Sequence, residues 1–310
     1  MPLHPQIAAF LATLPHEEPG PLDPAAMRAA DEAHVPAPAD RHPVRLVEDA
    51  VIPTADGDLP VRLYTHTEVP TSGAIVYFHG GAYFLGSLDT HDHIARNLAT
   101  ATGLRVVSVG YRLAPEHAFP AAIDDGVAAV EWVIAQGEAL GWDGGTLAVV
   151  GDSAGGSIAT VVAATLHDRG VDRITHQVMY YPSLDLDLDL DLGRYPSLTE
   201  NAVGYGLETA GLAPFNVPYF DSGADPLDPR VSPIKREDLT GLPAALVLTG
   251  EYDPMRDEGE RYAERLREAG VRVEQTRYLG AGHGFVQHFG WLPEYARAYA
   301  QTAEFLGSAR

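Results

Sequence analysis

Ser153 stands in the pentapeptide Gly151-Asp152-Ser153-Ala154-Gly155, between the apolar run TLAVVGD and the alanine-rich stretch GSIATVVAATL. Glycines two residues either side of a serine form the G-x-S-x-G pattern, in which a strand turns sharply into a helix and flanking side chains would clash. Such a turn lifts the hydroxyl above the sheet. A chain rich in glycine also produces this pentapeptide by chance, so an ordinary loop serine is the competing reading. A serine that cleaves esters needs more: a neutral imidazole to take its proton, a buried carboxylate to orient the imidazole, and amide donors for the oxyanion.

For the imidazole, His283 lies in GAGHGF, where small neighbours leave its ring room in a loop after the last β-rich run. His288, five residues on, is its rival, and the glycines on both sides favour His283. For the carboxylate, Asp253 in GEYDPMRDEG stands at the end of an apolar run, directly before Pro254 opens a helix. Glu251 and Asp257 compete with it. Glu251 is expected to project to the other face, and acids at a helix start also serve simply as caps and dipole partners. The oxyanion donors are sought in FHGGAYFLGS, residues 78–87. Adjacent glycines after a strand let backbone amides approach one oxygen, so Gly80 and Gly81, with Ala154 beside the serine, are the expected donors.

A fold that gathers strand ends would unite these residues. From VRLVEDAVIP onward, β-rich runs (AIVYFH, RVVSVGY, TLAVVGD, HQVMYYP, AALVLTGEYD, VRVEQTRYL) alternate with helix-like segments (HIARNLATATG, AAIDDGVAAVEWVIAQG, GSIATVVAATLHDRG, RDEGERYAERLREAG). The alternation implies an α/β fold with a largely parallel sheet covered on both faces. Ligands of such sheets bind beyond the carboxyl ends of the strands, and His79, Ser153, Asp253 and His283 all follow strand-like runs. Residues 1–43 hold two short amphipathic stretches between proline- and glycine-rich turns and read as a helical cap segment. Residues 44–310 are expected to form the catalytic domain, with the irregular stretch 193–240 covering the active-site mouth.

Two acidic stretches have alternative readings. LDLDLDLDL, residues 184–192, alternates as a strand with one solvated face would, or forms an acidic edge or loop. As a calcium loop counted from Asp185 it has Leu190 and Pro196 where glycine and glutamate are required. Asp89, His91, Asp92 and His93 in SLDTHDH have metal-ligand chemistry, but they read as the start of the helix HIARNLATA. No metal is expected at either stretch.

The blocks HGGAYFLGSLDTHD, YRLAPEHAFPAAIDD, GDSAGGS, YYPSLD, DPRVSPI, LTGEYDPMRDEG and GHGF follow one another across residues 44–310. Together they resemble the hormone-sensitive-lipase-like (bacterial family IV) α/β-hydrolase carboxylesterases. The chain order Ser, Asp, His is that of the α/β-hydrolase sheet and not of the chymotrypsin or subtilisin folds. The resemblance implies a mostly parallel eight-stranded sheet flanked by helices, with a helical cap. It implies Ser153 as nucleophile, His283 as base and then acid, Asp253 as its orienter, and Gly80, Gly81 and Ala154 as the oxyanion hole. It also implies cis peptide bonds at Ala114-Pro115 and Phe119-Pro120, structural roles for Arg112 and Asp124, homodimers through sheet edges, and no cofactor. One departure is visible: the third glycine usual in the oxyanion loop is Ala82, whose methyl is expected to narrow the pocket or stiffen the loop.

Composition restricts the partners. The chain has 310 residues, 43 acidic against 21 basic, and a formal charge of −22, which repels nucleic-acid phosphates and anionic membrane surfaces. Neither is an expected partner. The absence of cysteine excludes disulfides, thiol nucleophiles and thiolate metal sites. The stretch MPLHPQIAAFLATLPHEEPG lacks a basic leader and a long apolar core, so a cytoplasmic protein is expected. The expected activity is hydrolysis of small, neutral, short-acyl esters. An activated amide, formamide, lactone or carbamate would use the same machinery, whereas a non-catalytic receptor on a hydrolase fold would normally have lost the serine or histidine.

Overall fold

A computed structural model describes residues 2–13, 22–37, 41–67, 73–187 and 192–308. The strands are β1 (Leu46–Thr54), β2 (Gly57–Thr65), β3 (Gly73–Phe78), β4 (Arg105–Val109), β5 (Thr146–Asp152), β6 (His176–Tyr180), β7 (Ala244–Tyr252) and β8 (Val273–Gly282). They make one eight-stranded sheet in the order β1-β2-β4-β3-β5-β6-β7-β8. The first two form an antiparallel hairpin that joins β4 antiparallel, and every pairing from β4 to β8 is parallel. The central strand β3, GAIVYF, is buried at every position, as an unbroken apolar run in a parallel sheet must be.

The helices are α1 (Pro5–Leu11), α2 (Pro24–Glu32), α3 (Asp92–Thr102), α4 (Ala121–Ala135), α5 (Ala154–Asp168), α6 (Ser197–Glu200), α7 (Thr209–Asn216), α8 (Arg256–Glu268), α9 (Phe285–Phe289) and α10 (Pro293–Gly307). Successive strand residues point to opposite faces, so Val76 and Phe78 pack under α4 and α5 while Ile75 and Tyr77 pack under α3 and α10. On α5, Ile158, Val162 and Leu166 recur at helical spacing and are fully buried, each contributing roughly 1.5–3 kcal/mol. This anchors the helix whose first turn carries Ala154.

The arm docks on the main domain. Asp23 caps α2 by accepting from the Ala26 amide at 3.0 Å, with Pro24 at the first helical position. Ile7 of α1 is buried in the cluster that holds Phe289 and Tyr295. Arg28 of α2 donates to the carbonyl of Phe84 at 2.7 Å and pairs with Glu116 at 2.8 Å. Among the described residues, no helix is long and apolar enough to cross a membrane.

The alternating acidic run is not a strand where it is described. Leu184–Asp187 is irregular, while residues 188–191, with Asp189 and Asp191, lie outside the described residues. Asp185 turns inward to meet Lys235 at 3.1 Å and Arg194 at 2.8 Å, which breaks the simple split into a wet and a dry face.

Candidate active site

The turn from β5 into α5 places Ser153 at φ 52° and ψ −120°, a strained region for a residue with a side chain. Two close approaches explain the flanking glycines. A Cβ on Gly155 would overlap the Phe78 carbonyl of β3, and one on Gly151 would overlap the Gly155 carbonyl. The strained residue is held by its neighbours: its amide donates to the Tyr180 carbonyl at 2.9 Å, and its carbonyl accepts from Gly156 at 3.0 Å and Ser183 at 3.2 Å.

Ser153 Oγ lies 3.0 Å from His283 Nε2, and His283 Nδ1 lies 2.8 Å from Asp253 Oδ2. Asp253 is fully buried just beyond β7, and its other oxygen accepts from the Met255 amide at 2.8 Å. A carboxylate only accepts, so the network assigns the imidazole proton to Nδ1 and leaves Nε2 to accept from the serine hydroxyl. The rivals are placed elsewhere. Glu251 accepts from the Gly280 amide at 2.7 Å, and Asp257 pairs with Arg256 at 2.7 Å. His288 stacks on Phe10, and burial pushes its imidazole down to about 4.

The oxyanion loop requires a correction. The Gly80 amide, expected to face the substrate, points into the core and donates to Asp152 Oδ1 at 3.0 Å. Asp152 is fully buried and also accepts from the Tyr77 hydroxyl at 2.6 Å, so it anchors the start of the loop from below. Burial pushes this carboxyl above the usual carboxylate range. Gly81, Ala82 and Tyr83 all take positive φ, at 120°, 49° and 65°. The N–H groups of Gly81, Ala82 and Ala154 find no acceptor among the described residues, and all three residues line the cavity above Ser153. Ala82, not Gly80, therefore completes the set of free amides.

That cavity measures about 200 Å³. Leu85, Leu198, Leu207, Leu212, Phe215 and Met255 are among its apolar lining residues, and Asp185, Arg194 and Glu258 among its charged ones. Within the irregular stretch 193–240, the lining residues fall between Arg194 and Asn216. None of the described residues of the N-terminal arm lines it.

A profile of the alpha/beta hydrolase fold matches residues 75–287, which include all of these groups. The chain belongs to this family. Its relatives include "Esterase LipI" of Mycobacterium tuberculosis, 42% identical over 226 residues that cover 72% of this chain and 69% of that protein. "Ethyl acetate hydrolase" of Pseudomonas putida is 41% identical over 236 residues, covering 75% and 72%. Among solved structures, the hyperthermophilic esterase of the archaeon Pyrobaculum calidifontis superposes with a TM-score of 0.89 at 40% identity, covering 99% of this chain and 98% of that one. These matches agree with the hormone-sensitive-lipase-like grouping that the motif blocks imply.

Other expectations for this α/β-hydrolase are met or redirected by particular contacts. The Ala114-Pro115 and Phe119-Pro120 bonds are both cis. Arg112 pairs with buried Asp125 of α4 at 2.9 Å, while Asp124 is exposed. Adjacent helical residues point about 100° apart, so only one of the two can face the guanidinium. The SLDTHDH groups are dispersed among other partners: Asp89 pairs with Arg62 at 2.8 Å, Asp92 with Arg96 at 2.5 Å, and His93 bonds the Gln287 carbonyl at 2.8 Å. Among the described residues, no group of three or more His, Cys, Asp or Glu side chains is arranged to hold a metal ion. The anchoring role of Asp152 was missed, although it occupies a variable position of G-x-S-x-G and no sequence signal marks it.

Proposed function

We propose that this chain is a serine carboxylesterase that hydrolyses small, neutral, short-acyl esters through an acyl-enzyme on Ser153. The observation that carries the reading is the continuous relay from Ser153 through His283 to buried Asp253, opening on a small, largely apolar cavity. Ser153 Oγ attacks the ester carbonyl carbon while His283 Nε2 takes its proton. The carbonyl oxygen, now negative, is met by the amides of Gly81, Ala82 and Ala154, each worth about 10²–10³ in turnover. His283 then returns its proton to the departing alcohol, and water repeats the sequence to release the acid. Asp253 holds the imidazole in the required tautomer and steadies it while it is charged.

Cavity size supports short acyl groups: about 200 Å³ falls below the ~300–1,000 Å³ of pockets that take drug-sized ligands. The names of the relatives, an esterase and an ethyl acetate hydrolase, support the bond cleaved. The segment 193–240 acts as cap over the mouth, with the N-terminal arm bracing the oxyanion loop through Arg28 and Phe84. The purified protein is expected to release p-nitrophenol from its acetate and butyrate esters. Ser153→Ala should retain the fold and lose nearly all turnover, and turnover at the original rate would refute the assignment.

A further inference from the structure

The cap turn that lines the cavity is also fastened to the loop that carries Asp253. Asn201, 3% exposed, donates from Nδ2 to two backbone carbonyls, those of Asp253 at 3.0 Å and Glu251 at 3.2 Å. Ser197, fully buried, donates from Oγ to the Pro254 carbonyl at 2.7 Å and accepts from the Asp257 amide at 3.2 Å. Its own amide donates to Asp257 Oδ2 at 2.8 Å. Three carbonyls spanning the triad acid are therefore held by side chains of the cap. The β7–β8 register shifts between Gly250 and Tyr252, and Arg256 adds to the hold on this loop, donating from its guanidinium to the Glu251 carbonyl and from its amide to the Asp253 carbonyl, both at 3.1 Å.

The same turn reaches the substrate side and the histidine. Leu198, next to Ser197, lines the cavity, and its carbonyl accepts from Thr209 Oγ1 at 2.7 Å, which closes the turn bearing Leu207. Tyr205 stacks on Tyr252 with ring centres 4.6 Å apart. Its carbonyl lies 3.0 Å from where a Cβ on Gly282 would stand, immediately before His283. This turn thus bonds the Asp253 carbonyl and packs against Gly282, the residue before His283, while presenting leucines to the cavity.

We propose that Asn201 and Ser197 are positioning residues, which couple the cap lining to the alignment of Asp253 and His283; this rests on the esterase reading above. Neither touches the reacting atoms. Their effect is on how well the relay is aligned, and so on kcat more than on KM.

The test uses the full chain and the variants Asn201→Ala, Ser197→Ala and Thr199→Ala. For each, kcat and KM on p-nitrophenyl acetate and butyrate are measured per active site titrated with a fluorophosphonate, which removes any loss of folded fraction. A displacement of the acid loop by ~1 Å predicts a fall of about tenfold to a hundredfold in per-site kcat for Asn201→Ala with KM unchanged. Ser197→Ala is expected to show a smaller fall of the same kind. Thr199, exposed on the same turn, is the control, and its variant should match the wild type. Wild-type kcat per site in Asn201→Ala, or a change confined to KM, overturns the inference. Should Asn201→Ala fail to fold, Ser197→Ala decides by the same criterion. A wild-type chain that neither hydrolyses the esters nor reacts with the probe overturns the esterase reading itself, a result distinct from an active wild type with unaffected variants.

Discussion

Replacing Asp152 by alanine removes a single buried carboxylate that no reacting atom touches, yet it should damage both the fold and the chemistry. Asp152 Oδ1 accepts from the Gly80 amide at 3.0 Å and the Tyr77 hydroxyl at 2.6 Å. Without it the two buried donors to Oδ1 are left unsatisfied, at about 1–3 kcal/mol each, so the expected loss of stability is roughly 2–6 kcal/mol, with the longer 3.5 Å bond from the Tyr181 hydroxyl to Oδ2 lost as well. The chemical consequence follows from the loop. The Gly80 bond fixes the peptide plane from which Gly81 and Ala82 turn their amides towards the cavity, and misplacing one donor costs about 10²–10³ in kcat. Asp152→Asn separates the two effects, since an amide oxygen placed at Oδ1 keeps both bonds. Urea unfolding gives the stability change, and p-nitrophenyl butyrate hydrolysis per titrated site gives the kinetic one. Asp152→Ala should fall by about two orders of magnitude in kcat, with Asp152→Asn close to wild type. Full per-site kcat in Asp152→Ala would refute the view that this carboxylate steers the oxyanion loop.

Two further outcomes are expected. Ala82 has φ 49° and faces the cavity. Ala82→Gly relieves backbone strain but makes the unfolded chain more flexible, so stability should change by less than about 1 kcal/mol, while kcat/KM for branched acyl esters rises as the methyl is removed. An unchanged branched-to-linear preference would count against a lining role for that methyl. The Arg62 guanidinium holds the Asp89 carboxyl below the usual carboxylate range. A lowered folded value stabilises the chain above the unfolded value and loses that contribution as pH falls through the folded one. The advantage of wild type over Asp89→Asn in urea midpoint should therefore be full at neutral pH and shrink below about pH 4. An advantage that persisted undiminished into acid would contradict the sign.

Residues that obey steric rules were legible in the sequence, whereas those chosen by three-dimensional packing were not. Gly151 and Gly155 announce the elbow because close approach to Phe78 and to the first turn of α5 excludes a side chain there. The strand runs were visible because buried parallel strands are continuously apolar, as β3 is. By contrast, adjacent Gly80 and Gly81 look alike in sequence, and which amide faces the cavity depends on a carboxylate 72 residues later. Asp124 and Asp125 are likewise neighbours that only the rotation of α4 distinguishes. The alternation LDLDLDLDL suggests a two-faced strand, but Arg194 nearby and Lys235, 50 residues on, draw Asp185 inward. Asn201 carries no motif at all, because its role lies in backbone carbonyls that any residues could supply.

The most direct test of the central claim is mass spectrometry of the chain after reaction with a fluorophosphonate. The account predicts one covalent adduct per chain, located on Ser153, with ester hydrolysis lost in proportion to labelling and both absent from Ser153→Ala. An adduct on a different residue, or ester hydrolysis that survives full modification of Ser153, would contradict it.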